Sequence, residues 1–253
     1  MDIVFVVIMA ALWGSFANVC IYRLPKEQGV VSGRSHCPKC KKKIVWYDNI
    51  PIISYFLLSG KCRKCKKKIS IQYSLVEFIS IFSFFNIYYL YGITLTTLLL
   101  MILSLSLIII FFIDLKHFII PNVLTFSMMA LGFAKSFDPN LNPMFPNYIN
   151  SLIGGIFGYG IIWSIIYFYK QIRKKEGMGL GDAKLFAVIG FWFGWISIPF
   201  IIFLSSVIAL LSVVPDLIKN SKQMSSQIPF GPYIIIGTLI YLVFKNNLTN
   251  LFF

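Results

Sequence analysis

The chain has 253 residues, of which 58% are hydrophobic, 17% aromatic and only 13% charged, and its mean hydropathy is +0.79. A soluble domain carries about a quarter charged residues and a disordered segment few aromatics, so both classes are excluded. The formal net charge of +14, from 23 Lys+Arg against 9 Asp+Glu, would point to a nucleic-acid partner on a soluble protein, so where those charges sit decides their meaning.

In chain order, uncharged runs cover residues 3–22, 78–113, 117–134, 139–169, 185–215 and 223–244. A spanning helix needs about 20 mostly apolar residues, and the ten-residue alternation of membrane strands is missing. The fold class is therefore an all-α polytopic membrane protein. The first run is preceded by Asp2 and reaches its first basic residue only at Arg23, unlike a secretory signal. It reads as a retained helix with its N-terminus outside. Next comes a basic insert: positions 23–68 hold thirteen Lys/Arg against Glu27 and Asp48, a net +11 of the +14. Basic loops stay cytoplasmic, which places the insert there.

Residues 78–113 are too long for one span and break near Tyr91 and Gly92, giving two helices. Lys116 marks the cytoplasm again. Residues 117–134 cross to a Pro/Asn-rich loop, residues 138–147, and residues 148–169 return to Lys170, Arg173, Lys174 and Lys175. Residues 185–215 must cross an even number of times to bring Lys219 and Lys222 to the same side. This predicts two short helices or a re-entrant hairpin turning between Gly194 and Pro199. Residues 229–244 cross last. The expectation is eight spans, with all Lys/Arg cytoplasmic except Lys135 and Lys245. Three parts follow: a first helix over 1–22, a four-cysteine insert over 23–73 and a multi-helix core over 74–253.

Cys37, Cys40, Cys62 and Cys65 form C-x2-C-x21-C-x2-C, two knuckles able to present four thiolates to Zn²⁺. Lys41–Lys43 and Lys66–Lys68 follow the knuckles and favour the thiolate. A disulfide or redox pair is the alternative, disfavoured by a reducing cytoplasm. The lysines suit anionic lipid headgroups. A nucleic-acid-binding ribbon stays open but lacks interleaved aromatics, so no nucleic-acid partner is expected. Cys20 lies in an apolar helix and reads as a packed core residue.

Outside the insert and Asp2, six acids remain: Glu77, Asp114, Asp138, Glu176, Asp182 and Asp216. Asp138 and Glu176 fall in loops, Asp216 at a helix end, and Glu77 at a helix entrance. Asp114 closes a long uncharged stretch and Asp182 follows Gly179 and Gly181 in a G-x-G-D step. The topology puts both at cytoplasmic helix ends and at similar depth. They could simply cap their helices or pair with Lys116 and Lys184, although residues two apart do not share a helical face. Glycines permit close backbone approach by an extended peptide. Two close carboxylates share a proton, so one can activate water while the other polarises a carbonyl. A transporter or channel using the pair as a proton or cation site, and a non-enzymatic scaffold with a zinc-stapled loop, are the rival readings. The helix macrodipole would favour charge on Asp182, at a helix start, and disfavour it on Asp114, near a helix end. That contrast would make Asp114 the proton holder and Asp182 the base.

The chain resembles the type IV prepilin peptidases (prepilin leader peptidase/N-methyltransferase family). The resemblance runs from Gly14–Val19 and Tyr22–Pro25 through the cysteine pairs, Tyr47–Pro51, Gln72–Glu77, Asp114–Pro121 and Gly179–Leu185 to Pro229–Pro232. It implies that Asp114 and Asp182 are catalytic aspartates beside Gly179 and Gly181. It implies prepilin or pseudopilin precursors as substrates, cut at the cytoplasmic face of the bacterial inner membrane. It also implies methylation of the new N-terminus with S-adenosylmethionine. Asn122 departs from the Asp that many relatives carry after the proline. No glycine-rich dinucleotide-type loop is present, so methyl-donor residues stay unassigned; Glu77 and Asn18 are candidates against ordinary membrane-interface roles.

Overall fold

The computed structural model describes residues 2–31, 35–37, 39–138, 140–141, 145–175, 177–218 and 228–252, with residues 46, 215–218 and 245–252 described by backbone alone. Among these the secondary structure is helical, in the order α1 (Asp2–Arg23), α2 (Ile53–Leu57), α3 (Gln72–Tyr91), α4 (Leu95–His117), α5 (Asn122–Ala134), α6 (Tyr148–Arg173), α7 (Leu180–Phe193), α8 (Ser197–Ile218) and α9 (Gly231–Phe252), with a few 3₁₀ turns. The described residues hold no strand, only isolated antiparallel bridges of His36 with Lys43 and of Lys61 with Lys68.

The breaks fall where glycine allows them. Gly92, at φ +61°, separates α3 from α4, and Gly194, at φ +81°, separates α7 from α8. Residues 185–215 thus form two helices with the turn in the expected place. The expectation of eight spans is met only in part. Among the described residues, five helices are long and apolar enough to cross a membrane: α1, α3, α4, α6 and the Ser197–Val214 part of α8. The apolar part of α9 is the shorter Gly231–Phe244. With 13 and 14 residues, α5 and α7 each extend about 20 Å at 1.5 Å per residue, against a hydrocarbon core of about 30 Å. The topology markers Lys219 and Lys222, and the loop acid Glu176, lie outside the described residues.

The chain forms two compact units, residues 1–109 and 110–253, with the boundary inside α4. In the first, α1 packs on α3. Gly14 permits the approach, since a Cβ there would lie 2.9 Å from the Glu77 Cα. Asn18 Nδ2 then donates to the Tyr73 carbonyl at 3.0 Å.

The second unit is centred on α7, whose Leu185, Phe186, Val188, Ile189 and Trp192 are all buried. It packs against α5 and α6, and α8 packs on α9. The α6–α7 contact is backbone on backbone: a Cβ on Gly190 would collide with the Gly154 carbonyl, and one on Gly154 with the Gly190 carbonyl. Small residues permit this approach where apolar lipid supplies no hydrophobic drive between helices. The last-turn carbonyls of α7, orphaned by the helix itself, find partners. Ser151 Oγ donates to the Phe191 carbonyl at 2.7 Å and Lys135 Nζ to the Trp192 carbonyl at 3.2 Å. Lys135 is buried, with its ammonium 3.9 Å from the Phe145 ring centroid. A cation at a helix C-terminus is favourable, which gives this lysine a local reason for its position outside the basic insert. Trp192 Nε1 in turn donates to the Met128 carbonyl of α5 at 2.8 Å.

Gly190→Ala is therefore expected to destabilise the purified protein by about 1–3 kcal/mol through overpacking. Gly160→Ala, whose Cβ would meet nothing within 4 Å, should not destabilise it. Denaturant unfolding of both variants in detergent reads the contrast.

Candidate active site and metal centre

Asp114 and Asp182 are both buried and both line one cleft of about 280 Å³, shared with Ile120, Asn122, Gly179 and Lys184. Asp114 lies in the last turn of α4. The helix ends just beyond it, where Phe118 turns left-handed at φ 57° and donates its N–H to the Asp114 carbonyl at 2.9 Å. Pro121 then precedes α5. Asp182 lies in the first turn of α7, where its Oδ2 accepts the Gly179 N–H at 3.3 Å.

Asp114 Oδ2 accepts the N–H of Gly231 at 3.0 Å, and Gly231 is the first residue of α9. Both carboxylates therefore sit at helix N-termini, Asp182 on its own helix and Asp114 on α9. The macrodipole favours an anion at either place. The contrast expected from α4 alone disappears, and with it the basis for naming Asp114 the proton holder.

Pairing with lysine, the simpler expectation for these acids, is not found. Among the described residues the ion pair is Arg63–Asp48. Lys184 Nζ donates instead to Asn122 Oδ1 at 2.7 Å, so the neutral amide at position 122 holds the lysine at the cleft. Glu77 and Asn18 have structural partners: Glu77 Oε2 accepts the Ile52 N–H at 2.8 Å, and Asn18 binds the Tyr73 carbonyl.

In the insert, the sulfurs of Cys37, Cys40, Cys62 and Cys65 all lie within 4.8 Å of one another, with Cys37 Sγ and Cys65 Sγ 3.9 Å apart. Four sulfurs at about 2.3 Å from a tetrahedral Zn²⁺ stand about 3.8 Å apart, so the set fits such an ion. Each knuckle turns back through a left-handed lysine, Lys41 at φ 54° and Lys66 at φ 55°. The N–H groups of Cys65 and Lys64 lower the Cys62 thiol to about 7, while burial and the neighbouring cysteine sulfurs push the Cys65 thiol up to about 11. Arg63, inside the second knuckle, grips Asp48 through Nε at 2.8 Å and an Nη at 2.7 Å. That hydrogen bonding holds the Asp48 carboxyl below its usual range.

Two family models match the chain: the bacterial peptidase A24 N-terminal domain over residues 8–91 and the type IV leader peptidase family over residues 101–214. The prepilin leader peptidase/N-methyltransferase of Vibrio cholerae is 36% identical over 92% of this chain and 93% of its own length. The protein of the same name in Pseudomonas aeruginosa is 32% identical over 96% and 91%. The chain belongs to the type IV leader peptidase family. The Neisseria gonorrhoeae relative, also named prepilin leader peptidase/N-methyltransferase, is 33% identical over 92% of this chain and 88% of its own. No solved structure matches.

Family membership makes the cleft of Asp114 and Asp182 a peptidase site candidate, and the transporter and scaffold readings lose their ground. Two partners in the site were not foreseen. Gly231 stood in a matched motif, but its hydrogen bond bridges 117 residues of sequence; a Gly-Pro step at a helix start was its local signal. The Lys184–Asn122 bond was hidden because the expected partner of a lysine was an acid.

Replacing Cys62 by Ser is expected to remove tight metal retention by the full-length protein, measured by metal analysis after a chelator challenge. Retention equal to that of the unsubstituted chain would refute the four-thiolate centre.

Proposed function

We propose that the chain is a membrane aspartic endopeptidase of the GxGD type. It removes the short basic leader from type IV prepilins or pseudopilins at the cytoplasmic face of the bacterial inner membrane. One observation carries the reading: Asp114 and Asp182, 68 positions apart in the chain, are both buried and line the same cleft, in a member of the type IV leader peptidase family. The relatives' names support prepilins as the substrate class.

In the reaction, one carboxylate takes a proton from water as the water oxygen attacks the scissile carbonyl. The other, protonated because two adjacent anions are costly, donates a hydrogen bond to the carbonyl oxygen. The tetrahedral intermediate collapses as the C–N bond breaks, and the leaving nitrogen takes up the proton. The backbone of Gly179–Gly181, at the cleft rim, lies where an extended substrate peptide would pass. Lys184, fixed by Asn122, is the cation of the same cleft.

The division of labour is a first spanning helix over 1–22, a cytoplasmic basic insert over 23–73 and the peptidase core over 74–253, with the N-terminus outside. The insert carries a structural Zn²⁺ on Cys37, Cys40, Cys62 and Cys65, and its lysines face anionic headgroups. The relatives' double name also supports a second activity, methylation of the newly freed amine, for which S-adenosylmethionine would supply the methyl group. The described residues contain no strand and so no strand–loop–helix cradle for that donor, and no step is assigned to particular residues.

Incubation with a prepilin-like precursor and mass spectrometry of the products tests the reading. Asp114→Asn and Asp182→Asn are each expected to slow leader removal by about 10²-fold or more. Gly231→Ala places a Cβ 2.7 Å from Asp114 Oδ2; displacing the carboxylate should cost on the order of 10²-fold. Undiminished cleavage by both asparagine variants would overturn the dyad. A mass gain of one methyl that needs S-adenosylmethionine would support the second activity.

A further inference from the structure

The short helix α2, in the middle of the insert, is amphipathic in the wrong sense for a protein in water. Ser54 is buried, with its hydroxyl donating to the Tyr47 carbonyl at 2.9 Å. Ile53, Phe56 and Leu57 are 56%, 72% and 77% exposed. These three stand at i, i+3 and i+4 and so form one apolar face.

A hydrogen bond fixes where the start of α2 lies. The N–H of Ile52, the residue before α2, donates to Oε2 of buried Glu77 at 2.8 Å. Glu77 is five residues into α3, a helix long and apolar enough to cross a membrane. At 1.5 Å per residue it lies about 7.5 Å along the helix from Gln72. The start of α2 is thereby held beside the spanning helix, inside its first turns. The turn at Ile52 is a tight one, with φ 62° and ψ −53° and the Ile53 N–H donating back to the Pro51 carbonyl at 2.6 Å. A β-branched residue in this conformation is strained, and the Glu77 carboxylate is the partner that holds it.

Positive charge follows directly. Gly60, at φ +63°, turns the chain into Lys61, and Lys66, Lys67 and Lys68 are exposed on the adjoining knuckle. Apolar side chains at interfacial depth with lysines around them suit an anionic bilayer surface, which takes the former into the headgroup–acyl boundary and attracts the latter.

We infer that α2 is an interfacial anchor, seated by the Glu77–Ile52 bond, that lays the four-cysteine insert on the anionic lipid surface through Ile53, Phe56 and Leu57. The insert is then a membrane-surface module held by its two ends and its middle, rather than a loop reaching into the cytoplasm.

The test places a benzoylphenylalanine photocrosslinker at position 56 of the full-length protein, reconstituted in bilayers with or without phosphatidylglycerol. Lipid adducts are expected, and their yield should rise severalfold when the anionic lipid is present. Glu77→Gln, which keeps an acceptor for the Ile52 N–H, should retain the adduct; Glu77→Ala should lower it severalfold. Ile52→Gly, which relieves the turn, should restore part of the yield in the Glu77→Ala background, and Ile52→Ala should not. Adducts to protein in place of lipid, or no adduct, would overturn the anchor. Equal yields from Glu77→Ala and Glu77→Gln would overturn the seating bond. Neither result would touch the chemistry of Asp114 and Asp182.

Discussion

An acid buried among apolar helices must find donors without water, and in this protein the donors are backbone N–H groups at helix starts. Gly231 supplies one to Asp114 and Gly179 one to Asp182. The choice has consequences for chemistry. A lysine partner would hold a carboxylate permanently ionised, whereas an amide tolerates either protonation state and leaves the second oxygen for substrate or water. The donors are also glycines; a Cβ on Gly179 would meet Asp182 Oδ2 only at an ordinary 3.7 Å, but one on Gly231 would collide with Asp114 itself.

The same economy governs α7. Its first turn carries Asp182, and its last-turn carbonyls are taken by Ser151 and Lys135. Its middle lies against α6 with no side chain between Gly190 and Gly154. A helix fixed at its end, along its side and at its start holds its first residues in a defined place, as the proposed pairing of Asp182 with Asp114 would require.

Much of this was legible in the sequence because apolar runs and glycine breaks are local signals. Gly92 and Gly194 marked their turns, and the Cys37–Cys40 and Cys62–Cys65 spacing announced a cluster that the fold closes. Asp114 and Asp182 were found because a charge at the edge of a long uncharged stretch is costly and needs a reason. What could not be read was long-range. Nothing near Asp114 announces Gly231, and the dipole of α9 cancels a contrast that local helix geometry predicted. The run of residues 117–134 looked long enough to cross, yet its first five residues are spent on the end of α4, the left-handed Phe118 and the approach to Pro121. Lys135 looked like a topological exception, while its burial against Phe145 and the Trp192 carbonyl depends on contacts that sequence distance conceals.

The shortness of α5 and α7 bears on hydration. These two helices pack together, and each falls about 10 Å short of the apolar thickness it would have to match. A bilayer meets such a shortfall by thinning locally. The proposed cleavage at the cytoplasmic face needs water and an extended substrate backbone at Asp114 and Asp182, and thinner lipid over α5 and α7 would favour both. Bilayer thickness would then bear on the proposed cleavage, with thicker membranes imposing a steeper deformation around the cleft that Asp182 and Asn122 line.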